Sequence, residues 1–179
     1  RVVEKKYLQS VDGFIFNSKT TQGVVKSLIG NGKSSVVAYP PTDRFGESIS
    51  EEEISERATS DKLKILFLGN VIERKGLHTL LEALRLLTFD FQPPTSKLQL
   101  DIVGSLTTDP NYAKQMQEFV TDNGLSSIVH FHGTLDNEPL KQKLKQAHVL
   151  IVPSSYEGFG IVYLEGMAFG LPAIGTTAG

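Results

Sequence analysis

From residue 63 onward the chain alternates short unbroken apolar runs with stretches in which apolar residues return every three or four positions, and few folds accommodate that alternation. Leu63–Leu68, Leu98–Val103, Ile128–His132 and Val149–Val152 have the length and content of strands. Leu77, Leu80, Leu81, Leu84 and Leu87 form one helix face, and Tyr112, Met116, Phe119 and Val120 a second. Leu140, Leu144 and Ala147 mark a short third helix that Asn137 is placed to cap, and a fourth runs from about Gly160 to Phe169. The punctuation agrees: Asp109-Pro110 reads as a cap with a first-turn proline, while Asn123-Gly124, Gly170 and Pro172 read as stops. Pro172-Ala173-Ile174-Gly175 begins another strand. Strands that are apolar on both faces need cover on both sides. The pattern therefore predicts an α/β fold, a Rossmann-like open parallel sheet with helices on both faces.

Ahead of this region, Val11–Phe16 and Ser35–Tyr39 read as two more strands around a helix over Thr20–Ile29, which Gly30-Asn31-Gly32 closes. Pro40-Pro41 then opens a Ser-, Glu- and Thr-rich stretch to about Asp61, expected to be a linker with a turn or two of polar helix around Glu51-Glu52-Glu53. A length of 179 residues suits one domain with extra chain. The absence of cysteine excludes thiolate metal sites, disulfides and cysteine nucleophiles. A net charge of −2 argues against a general nucleic-acid binder. With no long apolar run and no signal-like opening, a cytoplasmic location is the default expectation. Beginning at Arg1 and stopping just after an apolar stretch, the chain reads as a piece of a longer protein.

Open parallel sheets bind ligands at the carboxyl ends of their strands. That directs attention to the loops Gly69–Gly76, Gly104–Asp109, His132–Asn137 and Pro153–Gly160. Gly30-Asn31-Gly32-Lys33-Ser34 resembles the end of a phosphate-binding loop, but it carries Ser27 where glycine is required and follows a helix instead of a strand. Gly158-Phe159-Gly160 lacks the third glycine of a dinucleotide fingerprint, since Tyr163 stands there. What remains is a glycine-bearing loop at a helix start, where backbone N–H groups can meet an anion, or else an ordinary strand-to-helix turn. Glu157 and Glu165 flank that helix start and are suited to accept hydrogen bonds from sugar hydroxyls. Glu165 lies in an apolar helix, which requires a partner for it if it is buried. Asn70, Glu73, Arg74 and Lys75 cluster in the first loop, where the two cations either neutralise phosphate or form a solvated turn. His130 and His132 alternate on one strand without a third ligand in a metal-binding spacing, so no metal is expected.

Residues 65–83, from Ile65-Leu66-Phe67-Leu68-Gly69-Asn70 through Arg74-Lys75-Gly76, and residues 149–175, with Pro153-Ser154-Ser155-Tyr156-Glu157-Gly158-Phe159-Gly160 and Glu165, closely resemble the retaining family-4 glycosyltransferases, or glycosyl transferases group 1. The resemblance takes in Ile102-Val103-Gly104 and Val129–Leu135, and extends weakly to Asp12–Asp43. It implies the C-terminal half of a GT-B fold, with 1–45 the end of an N-terminal acceptor domain, 46–61 a linker, and 62–179 a truncated nucleotide-sugar-binding domain. By position, Lys75, Glu157 and Arg74 would be catalytic. Glu157 would face the donor sugar, and Lys75 would hold the diphosphate in place of a metal. The amides of Gly158, Phe159 and Gly160 would bind sugar and phosphate, and Glu165 the ribose. Asn70, Gly104, Gly133 and Leu135 complete the nucleotide-sugar site, with the loop around Leu135 against the base. Asn70 stands where the family usually has Arg, and its glycine-rich N-terminal loop and acceptor-side histidine have no counterpart.

The resemblance implies transfer of a hexose from a nucleotide-diphosphate sugar, UDP in first place, with retention and without cofactor or metal. The expected partners are that donor and the missing acceptor domain, with peripheral membrane association of the parent protein left open. The piece by itself is expected to be inactive. The alternatives are a non-catalytic sugar-nucleotide-binding or interaction module and a GT-B epimerase.

Overall fold

The computed structural model describes residues 2–41, 44–46, 49–90 and 97–177. Its contacts divide the chain into two compact units, residues 1–41 with 157–161, and residues 42–156 with 162–178.

In the first unit, helix α1 (Val2–Ser10) precedes strand β1 (Gly13–Phe16), helix α2 (Lys19–Ile29) and strand β2 (Ser34–Val37). The strands pair in parallel from Gly13 against Ser34 to Phe16 against Val37, with α2 as the crossover. Ser18 caps α2 by accepting from the Thr21 N–H at 3.0 Å, and Gly30 at φ 84° ends it, which is the stop that its sequence announces. Helix α1 is absent from the sequence expectation, because its few apolar residues form no continuous stripe. Phe16 is buried, whereas the register partners Ile15 and Val36 are both exposed.

The second unit opens with helix α3 (Glu51–Ala58), whose capping box joins Ser50 and Glu53 in both directions. Strand β3 (Leu63–Leu68), helix α4 (Leu77–Asp90), strand β4 (Leu98–Val103), helix α5 (Pro110–Asp122) and strand β5 (Val129–Gly133) follow. Helix α6 (Asn137–Gln146), strand β6 (Val149–Val152), helix α7 (Ile161–Ala168) and strand β7 (Ala173–Gly175) complete it. All five strands are parallel in the order β5-β4-β3-β6-β7. The chain moves from β3 outward to β5, then returns across the sheet to β6 and β7. Right-handed crossovers therefore place α4 and α5 on one face and α6 and α7 on the other. Leu66, Phe67, Leu100, Ile102, Leu150 and Val152 are fully or almost fully buried between those layers. The expected α/β sheet is the observed one. Several boundaries move by one or two residues: β1 begins at Gly13, β2 ends at Val37, β5 runs Val129–Gly133, and Asp136, not Asn137, is the N-cap of α6, without a side-chain cap bond. No helix among the described residues is long and apolar enough to cross a membrane.

Asp101 interrupts the apolar run of β4 and is 5% exposed. It accepts from Gln99 Nε2 at 2.7 Å and Lys143 Nζ at 2.8 Å, and bonds His132 Nε2 at 2.5 Å. His132 reaches it because β5 slips register against β4 there: Phe131 opposes Ile102 and Gly133 opposes Val103, leaving His132 as the extra residue of a bulge. The expected His130–His132 pair is thus divided by the bulge. Among the described residues no three His, Asp or Glu side chains gather as a metal site. Burial pushes the Asp101 carboxyl up, but the bonds from Lys143, His132 and Gln99 outweigh it and hold the group below the ordinary carboxylate range. A depressed folded-state pKa contributes stability that is present above the unfolded value and lost as pH falls through the folded one. Asp101→Asn should cost about 2–3 kcal/mol at neutral pH, because Lys143 loses its charge partner, and this deficit should shrink toward acid. Urea titrations from pH 7 to pH 3 test it; a deficit under about 0.5 kcal/mol at pH 7 would contradict it.

Candidate functional site

The strand order reverses between β3 and β6, so the crevice beyond their carboxyl ends is the topological switch point. The loops there are laced together by backbone. Beyond the strand ends, the Gly69 N–H donates to Val103 O at 2.9 Å, Val71 N–H to Ser105 O at 3.0 Å, and Gly104 N–H to Gly133 O at 2.9 Å. On the other side the Ser155 N–H donates to Arg74 O at 2.8 Å. Arg74 Nη1 donates to Tyr156 O at 2.5 Å. Two glycines permit this closeness. A Cβ on Gly104 would lie 2.0 Å from Gly69 O, and one on Gly76 would lie 2.0 Å from Pro153 O; φ is +150° and +70° at these positions.

The sequence-predicted residues of the second unit separate into two groups. Asn70, Arg74, Lys75, Gly104 and Gly133 lie on the laced loops. Lys75 follows Arg74 in a single 3-10 turn over Glu73–Lys75, which Gly76 closes in a left-handed conformation. Its aliphatic stem lies over Gly69, within 3.4 Å of where a Cβ would stand, which orients a cation at the end of β3. Asn70 Oδ1 accepts from the Ser105 N–H at 3.3 Å, so this side chain serves the lacing between the β3 and β4 loops.

Glu165 forms the second group. Gly166 lets α7 approach β6 closely, since a Cβ there would meet Leu150 Cδ2 at 2.8 Å. The adjoining Glu165 is consequently 6% exposed. Its carboxylate is met by a residue that the sequence reading did not single out: Arg44 Nη1 donates to Glu165 Oε1 at 2.6 Å. Arg44 Nη2 donates to Asn137 Oδ1 at 3.1 Å, two residues beyond Leu135. The guanidinium also lies 5.1 Å from the ring centroid of Phe45, and Phe45 meets the buried Phe169 edge-on at 5.5 Å. The available signal was the apolar setting of Glu165, which required a cation without saying which one. Glu157, Gly158, Phe159 and Gly160 group with the first unit, where Phe159 packs against Tyr39 with ring centroids 6.0 Å apart.

The glycosyl transferases group 1 family model matches residues 48–179. The chain belongs to this family. It is 31% identical over 119 residues to a D-inositol 3-phosphate glycosyltransferase of Paenarthrobacter aurescens, covering 66% of this chain and 28% of that protein. The corresponding enzyme of Corynebacterium jeikeium is 28% identical over 189 residues, covering 100% of this chain and 44% of its own length. The chain thus spans less than half of either relative. A sucrose-phosphate synthase from Thermosynechococcus elongatus superposes with a TM-score of 0.78 at 27% identity, covering 99% of this chain and 44% of the other. Anabaena Alr3699/HepE, solved in complex with UDP and glucose, superposes with a TM-score of 0.78 at 24% identity, covering 98% of this chain and 49% of the other. The fold of this group 1 chain is therefore the Rossmann-like GT-B one.

The lacing makes a measurable demand on its glycines. Gly104→Ala should lower stability by more than about 2 kcal/mol, from roughly 1–2 kcal/mol for the positive φ and roughly 1–3 kcal/mol for overpacking. Gly124 has φ +67° with nothing within 4 Å of its added Cβ, so Gly124→Ala should cost only the first part. Equal losses in the two variants, read by denaturant titration, would refute the close-approach argument.

Proposed function

We propose that this chain carries the donor-binding side of a glycosyltransferase that moves a hexose from a nucleotide-diphosphate sugar, UDP in first place, with retention. The observation that carries this reading is the pair of charged groups on elements flanking the switch point. Lys75 lies in the loop after β3, and the buried Glu165 lies on the helix after β6. A cation there suits a diphosphate, and a carboxylate suits the vicinal hydroxyls of a ribose.

In this reading the bond between the anomeric carbon and the diphosphate oxygen breaks, and the oxygen keeps the electron pair. Lys75, the start of α7 and Arg74 stabilise the charge left on the phosphate, and they do so without a metal. Glu157 accepts from the donor sugar hydroxyls, and the amides of Gly158, Phe159 and Gly160 bind sugar and phosphate. Gly104, Gly133 and the loop around Leu135 bound the nucleotide. Retention rests on the likeness of the Glu157-to-Glu165 motif to the retaining family. UDP rests on the shared fold with a protein solved with UDP and glucose. The acceptor domain belongs to the rest of the protein, and the cytoplasmic location is part of the same proposal.

One observation favours a rival, a non-catalytic sugar-nucleotide-binding module. Asn70 occupies the usual arginine position and spends its side-chain oxygen on the Ser105 N–H. Donor hydrolysis or transfer by the full-length protein would remove that rival, whereas donor binding without either would favour it.

The test of donor binding is a calorimetric titration of the chain with UDP-, GDP- and ADP-glucose. UDP-glucose should bind most tightly. Lys75→Ala should weaken binding by about tenfold or more, with a smaller effect in high salt. Binding of none of the three would overturn the reading.

A further inference from the structure

We propose that Arg44 is a positioning residue for the nucleoside part of the donor site. The inference rests on the reading of Glu165 as the ribose-binding carboxylate, and deepens it by naming what holds that carboxylate in place.

A glutamate that is 6% exposed on an apolar helix needs a hydrogen-bonding partner for its carboxylate. Arg44 is the cation that meets it, at 2.6 Å, and the contact engages one carboxylate oxygen, Oε1. Oε2 is then left as the acceptor that a ribose can use. Among the described residues no buried side-chain oxygen or nitrogen lacks a partner, so Oε2 is not sealed from solvent.

The second arm of the guanidinium gives the contact its direction. Through Nη2 it binds Asn137 Oδ1, at the start of α6 and directly beyond the loop of Leu135 that the proposed function assigns to the base. Arg44 therefore ties the ribose carboxylate to the segment proposed to face the base. Phe45, wedged edge-on against the buried Phe169, anchors the strap that carries it. A lysine at this position could neutralise Glu165 but could not span both partners with a planar fork.

The experiment compares UDP with 2′,3′-dideoxy-UDP, which lacks the ribose hydroxyls, by calorimetric titration of the 179-residue chain. Unaltered chain should prefer UDP by about tenfold or more, the worth of a charge-assisted hydrogen bond. Glu165→Gln should bring the ratio near one. Arg44→Met should do the same, chiefly by weakening UDP, and Arg44→Lys should restore part of the preference. The side chain of Arg44 is 44% exposed, so the fold should survive both changes, as circular dichroism would verify. If Glu165→Gln abolishes the preference and Arg44→Met leaves it intact, the role of Arg44 falls and the ribose reading stands. Loss of both nucleotides by a folded Arg44→Met chain also refutes positioning through Glu165. If unaltered chain shows no preference, or Glu165→Gln keeps it, the ribose reading falls and takes the inference with it.

Discussion

The close backbone approach at the carboxyl ends of β3, β4 and β6 is the constraint from which the remaining site geometry follows. Three loops can meet there only because Gly104 and Gly76 have no Cβ to strike Gly69 O and Pro153 O. Once they meet, the N–H groups of Val71, Gly104 and Ser155 find carbonyl partners on neighbouring loops, and the segments behave as a continuation of the sheet. Lys75 inherits its orientation from this arrangement, since its stem runs over Gly69. A side chain on a free loop would sample many rotamers and lose that entropy on meeting a phosphate. Here the loop's ordering is already met by folding.

The same logic acts at the helix after β6. Gly166 brings α7 onto Leu150, and this packing is what buries the neighbouring Glu165. Arg44, 121 positions earlier in the chain, meets the carboxylate that this burial creates. The segment of α3 acts on the same helix. Through Arg57 Nη1 and Nη2 it also donates to Phe169 O and Gly170 O at 3.0 Å each, satisfying carbonyls at the end of the same helix. Lys145 of α6 reaches back to Glu53 of α3 at 3.0 Å, on the face that α6 and α7 share.

The fold was legible where a local rule had no competitor. The run Leu63–Leu68 forms a strand buried from Ile65 onward, and Asp109-Pro110 begins α5 as its chemistry demands, with Asp109 accepting from the Tyr112 N–H at 3.1 Å. Gly69 and Gly104 follow the ends of β3 and β4 where they were expected, and Gly76 precedes α4. Legibility failed where a decision depended on a distant segment. The bulge that turns His132 toward Asp101 depends on the pairing of β5 with β4. Arg44 lies 121 positions from Glu165, in a stretch with neither helical nor strand period. Helix α1 has an apolar pattern too sparse to announce itself. Asn70 could be recognised as a departure from the family, but its bond to Ser105 is a property of folded loops.

Two carboxylates in apolar elements differ in how far the protein itself occupies them. Both are about equally buried, Asp101 at 5% and Glu165 at 6%. Asp101 lies mid-strand and is surrounded by three side-chain partners, Gln99, His132 and Lys143. Its bonding capacity is spent within the protein; burial pushes its pKa up, and the bonds from Lys143, His132 and Gln99 outweigh that and hold it down. Glu165 is met by one arginine on one oxygen. That arginine gives the carboxylate one charge-assisted donor and engages only Oε1. The proposed ribose role of Glu165 asks for this arrangement, in which Arg44 engages Oε1 and a ligand supplies the donors to Oε2.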